Sequence, residues 1–238
     1  MSILEAGFDS SAIASYPIKI VEVMGRHAGW LAAAGALAAD EPGRAPQLVY
    51  VPERPIDYDA AAEDVRRIVK ESGHVVICLA EGARAADGKY ITDSPLGQTD
   101  EFGHRQMAGA GDVLAAILER KTGIRARCDR PGTLQRASMA LVSRTDVDEA
   151  YAVGRAAVDA ALAGRSGEMI TLVREGNDPY RCVTGSAAIA EIANRERKLP
   201  DEFIAESGNY PTEAFLAYAR PLIGDPLPRY VRLSRRPV

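Results

Sequence analysis

Three groups of residues have types and spacings suited to chemistry. The first is Arg26 and His27, which come directly after Gly25 and stand just ahead of a helix-forming stretch that begins at Trp30. A helix that opens behind a strand points free N–H groups outward and its dipole favours negative charge there, so a guanidinium and an imidazole at that opening suit a phosphate or a carboxylate. The second is Glu81, at the end of the strand-like run 74–80. A carboxylate at the carboxyl edge of a sheet can accept hydrogen bonds from ligand hydroxyls. The third is Arg125, Arg127, Arg130 and Arg136, four guanidinium groups whose forked geometry matches phosphate oxygens. Each group also has a plainer reading. Strand–Gly–helix junctions are common in α/β domains, an acid after a strand can simply cap a helix, and a basic strand edge can simply be solvated.

The elements that must position these residues can be read from periodicity. Residues 18–23 are mostly apolar and rich in β-branched types, as in a strand covered on both faces. Gly25 permits a sharp turn. Residues 30–39 are small and helix-forming, residues 47–51 form a second strand stopped by Pro52, and 57–72 carry an apolar helical stripe of Ala61, Val65, Ile68 and Val69 that ends at Gly73. Residues 74–80 form a third strand and 83–105 a long polar loop, followed by a helix over 106–121 and a strand over 124–128. Alternation puts Arg125 and Arg127 on one face of that strand. A helix over 146–163 has Val147, Tyr151, Val158, Ala161 and Leu162 along one face, strands over 169–173 and 180–183 form a hairpin, and short helices cover 187–195 and 212–219. Strands alternating with helices imply parallel pairing, and the expected fold is a layered α/β sandwich with a mainly parallel sheet.

Composition narrows the function classes. A chain of 238 residues with 47% apolar content can bury a substantial core. A net charge of −4 argues against a general nucleic-acid binder. Cys78, Cys128 and Cys182 are odd in number and far apart with no C-x-x-C, which points away from a disulfide framework or a zinc site. His27, His74 and His104 are too scattered for a metal site. Residues 1–17 lack the basic start and apolar centre of a signal peptide, and the run 30–39 is too short to cross a bilayer, so the expectation is a soluble, cytoplasmic protein. Gly88-Lys89-Tyr90 lacks the glycine spacing and hydroxyl of a P-loop, and Gly109-Ala110-Gly111 follows no strand.

The nine consecutive residues Val21-Glu22-Val23-Met24-Gly25-Arg26-His27-Ala28-Gly29 resemble the sugar-phosphate-binding signature of the phosphofructokinase family. The resemblance implies that Met24, Gly25 and Arg26 contact fructose 6-phosphate, with Arg26 in the catalytic role of steadying charge on the phosphoryl group in transfer. Ala80-Glu81-Gly82 fits the element whose Glu holds the sugar ring, and Gly132-Thr133-Leu134-Gln135-Arg136 resembles the family's Gly-His/Tyr-Ile/Leu-Gln-Arg element. Arg127 stands six residues before Thr133, at the spacing of another family arginine. By resemblance Arg127, Thr133 and Arg136 grip the 6-phosphate. In the family some of these contacts cross a subunit interface, which implies a homo-oligomer. Thr133 departs from the usual His or Tyr. Pro17 stands where many members carry a phosphate-binding Arg, with Lys19 nearby as a point charge.

Phosphoryl transfer also needs a donor cradle, a metal and a base. In the family a Gly-Gly-Asp-type loop and a Thr-Ile-Asp-Asn-Asp element supply them, and neither occurs in these 238 residues. The resemblance therefore covers the family's second half, and Met1 falls inside the helix that follows the catalytic loop. The expected division is a sugar-phosphate-binding α/β domain over 1–136, with 1–16 as a truncated leading helix. A helix and strands over 137–195 are expected to pack on the absent donor domain, with a C-terminal helix and tail over 196–238. The complete glycolytic enzyme implied would use ATP or pyrophosphate with Mg²⁺, a donor-domain chain being a possible partner. His27-Ala28-Gly29-Trp30 is more similar to the pyrophosphate-using branches. The rival readings are a non-catalytic sugar-phosphate-binding or regulatory subunit and a truncated reading frame.

Overall fold

The computed structural model describes residues 1–12, 15–93 and 109–227. Its centre is a four-stranded parallel sheet in the order β2-β3-β1-β4, formed by β1 (Ile18–Val23), β2 (Leu48–Tyr50), β3 (Val75–Ala80) and β4 (Ala126–Asp129). Ile20 lies opposite Ile77 on one side and Cys128 on the other, so β1 is a central strand and β4 an edge. Both faces of the sheet are covered, which is why β1 and β3 read as near-continuous apolar runs. On one face Val21, Val49, Val76 and Cys78 pack against α1 (Ser2–Ala12) through Ile3 and Leu4, and against α2 (Trp30–Ala34) through Ala32 and Ala33. On the other face Ile18, Ile20, Ile77 and Leu79 meet Val65 and Ile68 of α3 (Tyr58–Ser72) and Leu114 and Leu118 of α4 (Ala110–Thr122).

Local chemistry sets the limits of the helices. Asp57 caps α3 by accepting from the N–H groups of Asp59 and Ala60, and Gly73 ends it in the left-handed conformation. Gly123 ends α4 in the same way. The helix expected over 30–39 is shorter. It runs five residues and continues as a 3-10 turn, Gly35–Ala38. The switch falls at Gly35, which packs closely on its neighbours: a methyl group there would meet Ile3 Cδ1 at 2.5 Å and Cys78 Sγ at 2.8 Å. The first part of the expected 83–105 loop is folded back on itself, with Ala85 N donating to Lys89 O at 2.9 Å and Ile91 buried, while residues 94–108 lie outside the described residues. Gln106 and Met107 of the expected helix start, and His104, lie there too.

Beyond β4 the packing changes. A short α5 (Leu134–Ala137) leads to α6 (Arg144–Leu162), a hairpin of β5 (Glu168–Asn177) and β6 (Tyr180–Ala188), and α7 (Ile189–Ile192). None of α5, α6 or α7 buries a residue fully. The apolar face expected on α6 forms, but it faces outward: Tyr151 is 70% exposed, Val158 59% and Leu162 84%. Arg174 of β5 anchors the hairpin to α8 (Glu213–Ala219), since its guanidinium lies between the rings of Tyr180 and Tyr218 and donates to Tyr218 O at 2.7 Å. Phe203, Phe215 and Tyr218 surround Trp30 and return the C-terminal region to the α2 face of the sheet. Among the described residues no helix is long and apolar enough to cross a membrane.

Candidate functional site

Because β1 and β3 are parallel neighbours with Val23 opposite Ala80, their carboxyl ends deliver Met24-Gly25 and Glu81-Gly82 side by side. Backbone bonds lock the two turns together. Glu81 N donates to Val23 O at 2.9 Å and Gly82 N donates to Gly25 O at 3.1 Å. Gly25 N points at Glu81 Oε1, 3.5 Å away. Gly25 has φ of 146°, and a Cβ there would lie 2.8 Å from Ala28 O, so the turn requires glycine. The third segment arrives from β4. Met24 N donates to Gln135 Oε1 at 3.0 Å, and Gln135 Nε2 donates to Gly132 O at 3.1 Å. The 132–136 turn is thereby tied to the end of β1.

The structure thus brings Met24, Gly25, Glu81 and the Thr133–Arg136 turn to one sheet edge. Arg26 and Arg136 are exposed, and Arg136 makes no ion pair among the described residues. Thr133 opens α5 with its hydroxyl capping nothing. The other arginines are not gathered into one clamp. Arg127 pairs with Lys19 in the sheet register, two residues short of the end of β4, and its Nε lies 3.2 Å from Asp129. Arg125 stacks over Tyr16 and Arg130 pairs with Asp112 at 2.7 Å. Lys19 is buried between Asp9 and Asp129, so it is not a free point charge for a ligand. The helix-start contribution is also smaller than the sequence suggested, since α2 is a single turn and Gly29 N already donates to Glu53 Oε1 at 3.0 Å. His27 faces Glu196 at 3.6 Å.

Beneath the site lies an acid that sequence reasoning passed over. Glu22 points to the start of α4, where Gly111 N donates to its Oε2 at 2.7 Å. Burial raises its carboxyl above the ordinary range, and the Gly111 N–H and Arg130 pull it partly back. Gln135 and Glu53 were also missed as site residues. Gln135 sits inside the motif that pointed to its neighbours, and Glu53 follows a strand end, where a carboxyl-edge argument could have found it. Among the described residues no group of three or more His, Cys, Asp or Glu side chains is gathered that could hold a metal ion. The arrangement can hold an anion and hydroxyls: Arg26 and Arg136 supply fixed positive charge, and Glu81 accepts hydrogen bonds. An arginine cannot take up a proton in return.

Known proteins resemble the chain in sequence and in fold. The chain is 44% identical over 234 residues to a pyrophosphate–fructose 6-phosphate 1-phosphotransferase of Halomonas elongata, covering 96% of this chain and 55% of that protein. It is 37% identical over 188 residues to an ATP-dependent 6-phosphofructokinase 2 of Streptomyces coelicolor, covering 78% of this chain and 51% of that one. The crystal structure of a pyrophosphate-dependent phosphofructokinase from Marinobacter aquaeolei superposes with a TM-score of 0.81 at 33% identity, over 100% of this chain and 59% of the other. The chain spans about half the length of the curated relatives it matches. The phosphofructokinase (PFK) family pattern itself matches residues 6–161, from α1 through the site-bearing turns and into α6, and on that match the chain belongs to the phosphofructokinase family.

Proposed function

We propose that this chain is the fructose 6-phosphate-binding part of a cytoplasmic, glycolytic 6-phosphofructokinase, which transfers a phosphoryl group to the sugar 1-hydroxyl. The observation that carries this reading is the meeting of Met24, Gly25 and Glu81 at adjacent strand ends, with Gln135 holding the Arg136 turn against them. Glu81 accepts from the sugar hydroxyls. Arg136 and Arg127 neutralise the 6-phosphate, and the Thr133 hydroxyl donates to it. Met24, Gly25 and Arg26 contact the sugar phosphate, and Arg26, nearest the transferred group, also stabilises its charge, which is where electrostatic catalysis of phosphoryl transfer acts. Pyrophosphate is the favoured donor, because the relatives at 39–44% identity carry that name; ATP is the second reading, supported by relatives at 34–37%.

The base, the donor cradle and the Mg²⁺ that accompanies the donor belong to residues outside these 238, in a longer polypeptide or a separate donor-domain chain. The outward apolar face of α6, β5 and β6 is the seat for that half, and Arg125, which the 6-phosphate assignment leaves over, serves a neighbouring copy in a homo-oligomer. The test is a turnover assay of the purified chain with fructose 6-phosphate, Mg²⁺ and each donor in turn. The expected result is no phosphorylation by the chain alone, because positioning of the donor contributes on the order of 7–11 kcal/mol in favourable cases. Robust turnover with either donor, free of host enzyme, would assign the chemistry to residues other than these.

A further inference from the structure

Glu53 stands just past β2, outside every motif that led to the site. Its Oε1 accepts two backbone N–H groups from distant parts of the chain: Gly29 N at 3.0 Å and Leu199 N at 2.8 Å. Gly29 ends the turn that carries Arg26 and His27. Leu199 ends a segment that runs alongside that turn. Within the segment Glu196 faces His27 at 3.6 Å, Arg197 O accepts from Trp30 Nε1 at 2.8 Å, and the Arg197 guanidinium lies 5.5 Å from the Trp30 ring centre. The fit is close, since a methyl group on Gly29 would lie 2.4 Å from Val51 Cβ and 2.8 Å from Glu53 Oε2. Glu53 Oε2 is itself buried with no hydrogen-bond partner.

A carboxylate with one oxygen buried and unpartnered is an expensive way to hold a turn, and a shorter neutral cap would serve one N–H at less cost. What this side chain adds is reach, which sets a single acceptor atom, Oε1, between two segments. We propose that Glu53 is a positioning residue for the sugar-phosphate site: its Oε1 clamps the Arg26–His27 turn and the 196–199 segment to the end of β2 and so sets where Arg26 meets the ligand. This inference rests on the reading of the site given above.

The experiment compares the full chain with Glu53→Ala and Glu53→Gln, reading fructose 6-phosphate affinity by calorimetry, melting temperature, and the emission of Trp30. Trp30 is the one tryptophan of the chain and bonds directly to the segment. Glu53→Ala is expected to bind about tenfold more weakly or worse, the size of one weakened hydrogen bond from Arg26 to the ligand. Its Trp30 emission should shift to the red. Glu53→Gln keeps a carbonyl acceptor in place and should restore both readouts to near wild type. If Glu53→Ala does not fold, Glu53→Asp carries the test: its carboxylate is one methylene short of the two N–H groups, and it should bind weakly with shifted emission. A folded Ala or Asp variant that binds like wild type would overturn the role of Glu53. So would weakened binding with unchanged Trp30 emission, because the clamp would then not be the route. Wild-type protein that fails to bind fructose 6-phosphate would instead overturn the functional reading itself, and with it the purpose of the clamp.

Discussion

Gly82 and Arg26 touch so closely that a Cβ on Gly82 would lie 1.8 Å from the Arg26 carbonyl oxygen and 2.7 Å from its Cα. The turn after β1 and the turn after β3 are therefore one packed unit, closed by the bond from Gly82 N to Gly25 O. The position of the Arg26 backbone is fixed as much by the turn after β3 as by its own strand.

Gly82→Ala should consequently be severe. Its clash is with backbone, which cannot rotate away as a flexible side chain would, so the expected loss is about 3 kcal/mol, the upper end of the overpacking range. Urea denaturation would measure it. A variant as stable as wild type would mean that the two turns are free to separate.

Arg136→Ala should separate binding from stability. The side chain is exposed and carries no ion pair among the described residues, so the melting temperature should stay near wild type. Fructose 6-phosphate binding should weaken by about 1.5–3 kcal/mol, the range for a hydrogen bond to a charged group. Equal affinity in calorimetry would remove Arg136 from the site.

Glu22 gives the fold a pH dependence of definite sign. Its folded-state pKa is raised above the ordinary 4.5, chiefly by burial, with Asp112 and Glu81 adding in the same direction and Gly111 N–H and Arg130 opposing. A raised carboxyl makes the native state bind the proton more tightly than the unfolded chain. The stability it supplies is fully present below the unfolded value and is lost as pH rises through the folded one. Glu22→Gln cannot titrate, so its melting temperature should gain on wild type as pH rises from about 4 to about 7. A constant difference across that window would place the Glu22 carboxylate in contact with water.

The outward face of α6 predicts a surface effect without a folding effect. Leu162 is 84% exposed, so Leu162→Ser should change stability by no more than about 0.5 kcal/mol. The same change should reduce self-association in light scattering, because it interrupts the apolar patch shared with Val158 and Tyr151. A large loss of stability would mean that the described packing around α6 is wrong.

Much of this was legible because it depends on local pattern. Two-sided burial made β3 a continuous apolar run and β1 a mostly apolar one, Asp57 and Gly73 marked the ends of α3, and the 21–29 signature marked the turn after β1. What escaped depends on contacts between distant segments. Nothing around Lys19 in the sequence says that Asp9 and Asp129 enclose it. The even alternation of Arg125 and Arg127 does not reveal that one stacks on Tyr16 and the other pairs with Asp129. The 30–39 run reads as one helix because helix propensity is local, while the pressure of Ile3 and Cys78 on Gly35 is not. The apolar stripe of α6 was read correctly as a stripe, yet periodicity cannot say what covers it.

The most direct test of the account is calorimetric titration of fructose 6-phosphate into the chain and into Arg26→Ala, with fructose lacking the phosphate as control. Arg26 is exposed, so the variant should melt with wild type. Wild type should bind saturably, Arg26→Ala should lose about 1.5–3 kcal/mol, and the unphosphorylated sugar should bind far more weakly. Equal affinity of wild type and Arg26→Ala, or no preference for the phosphorylated sugar, would contradict the account.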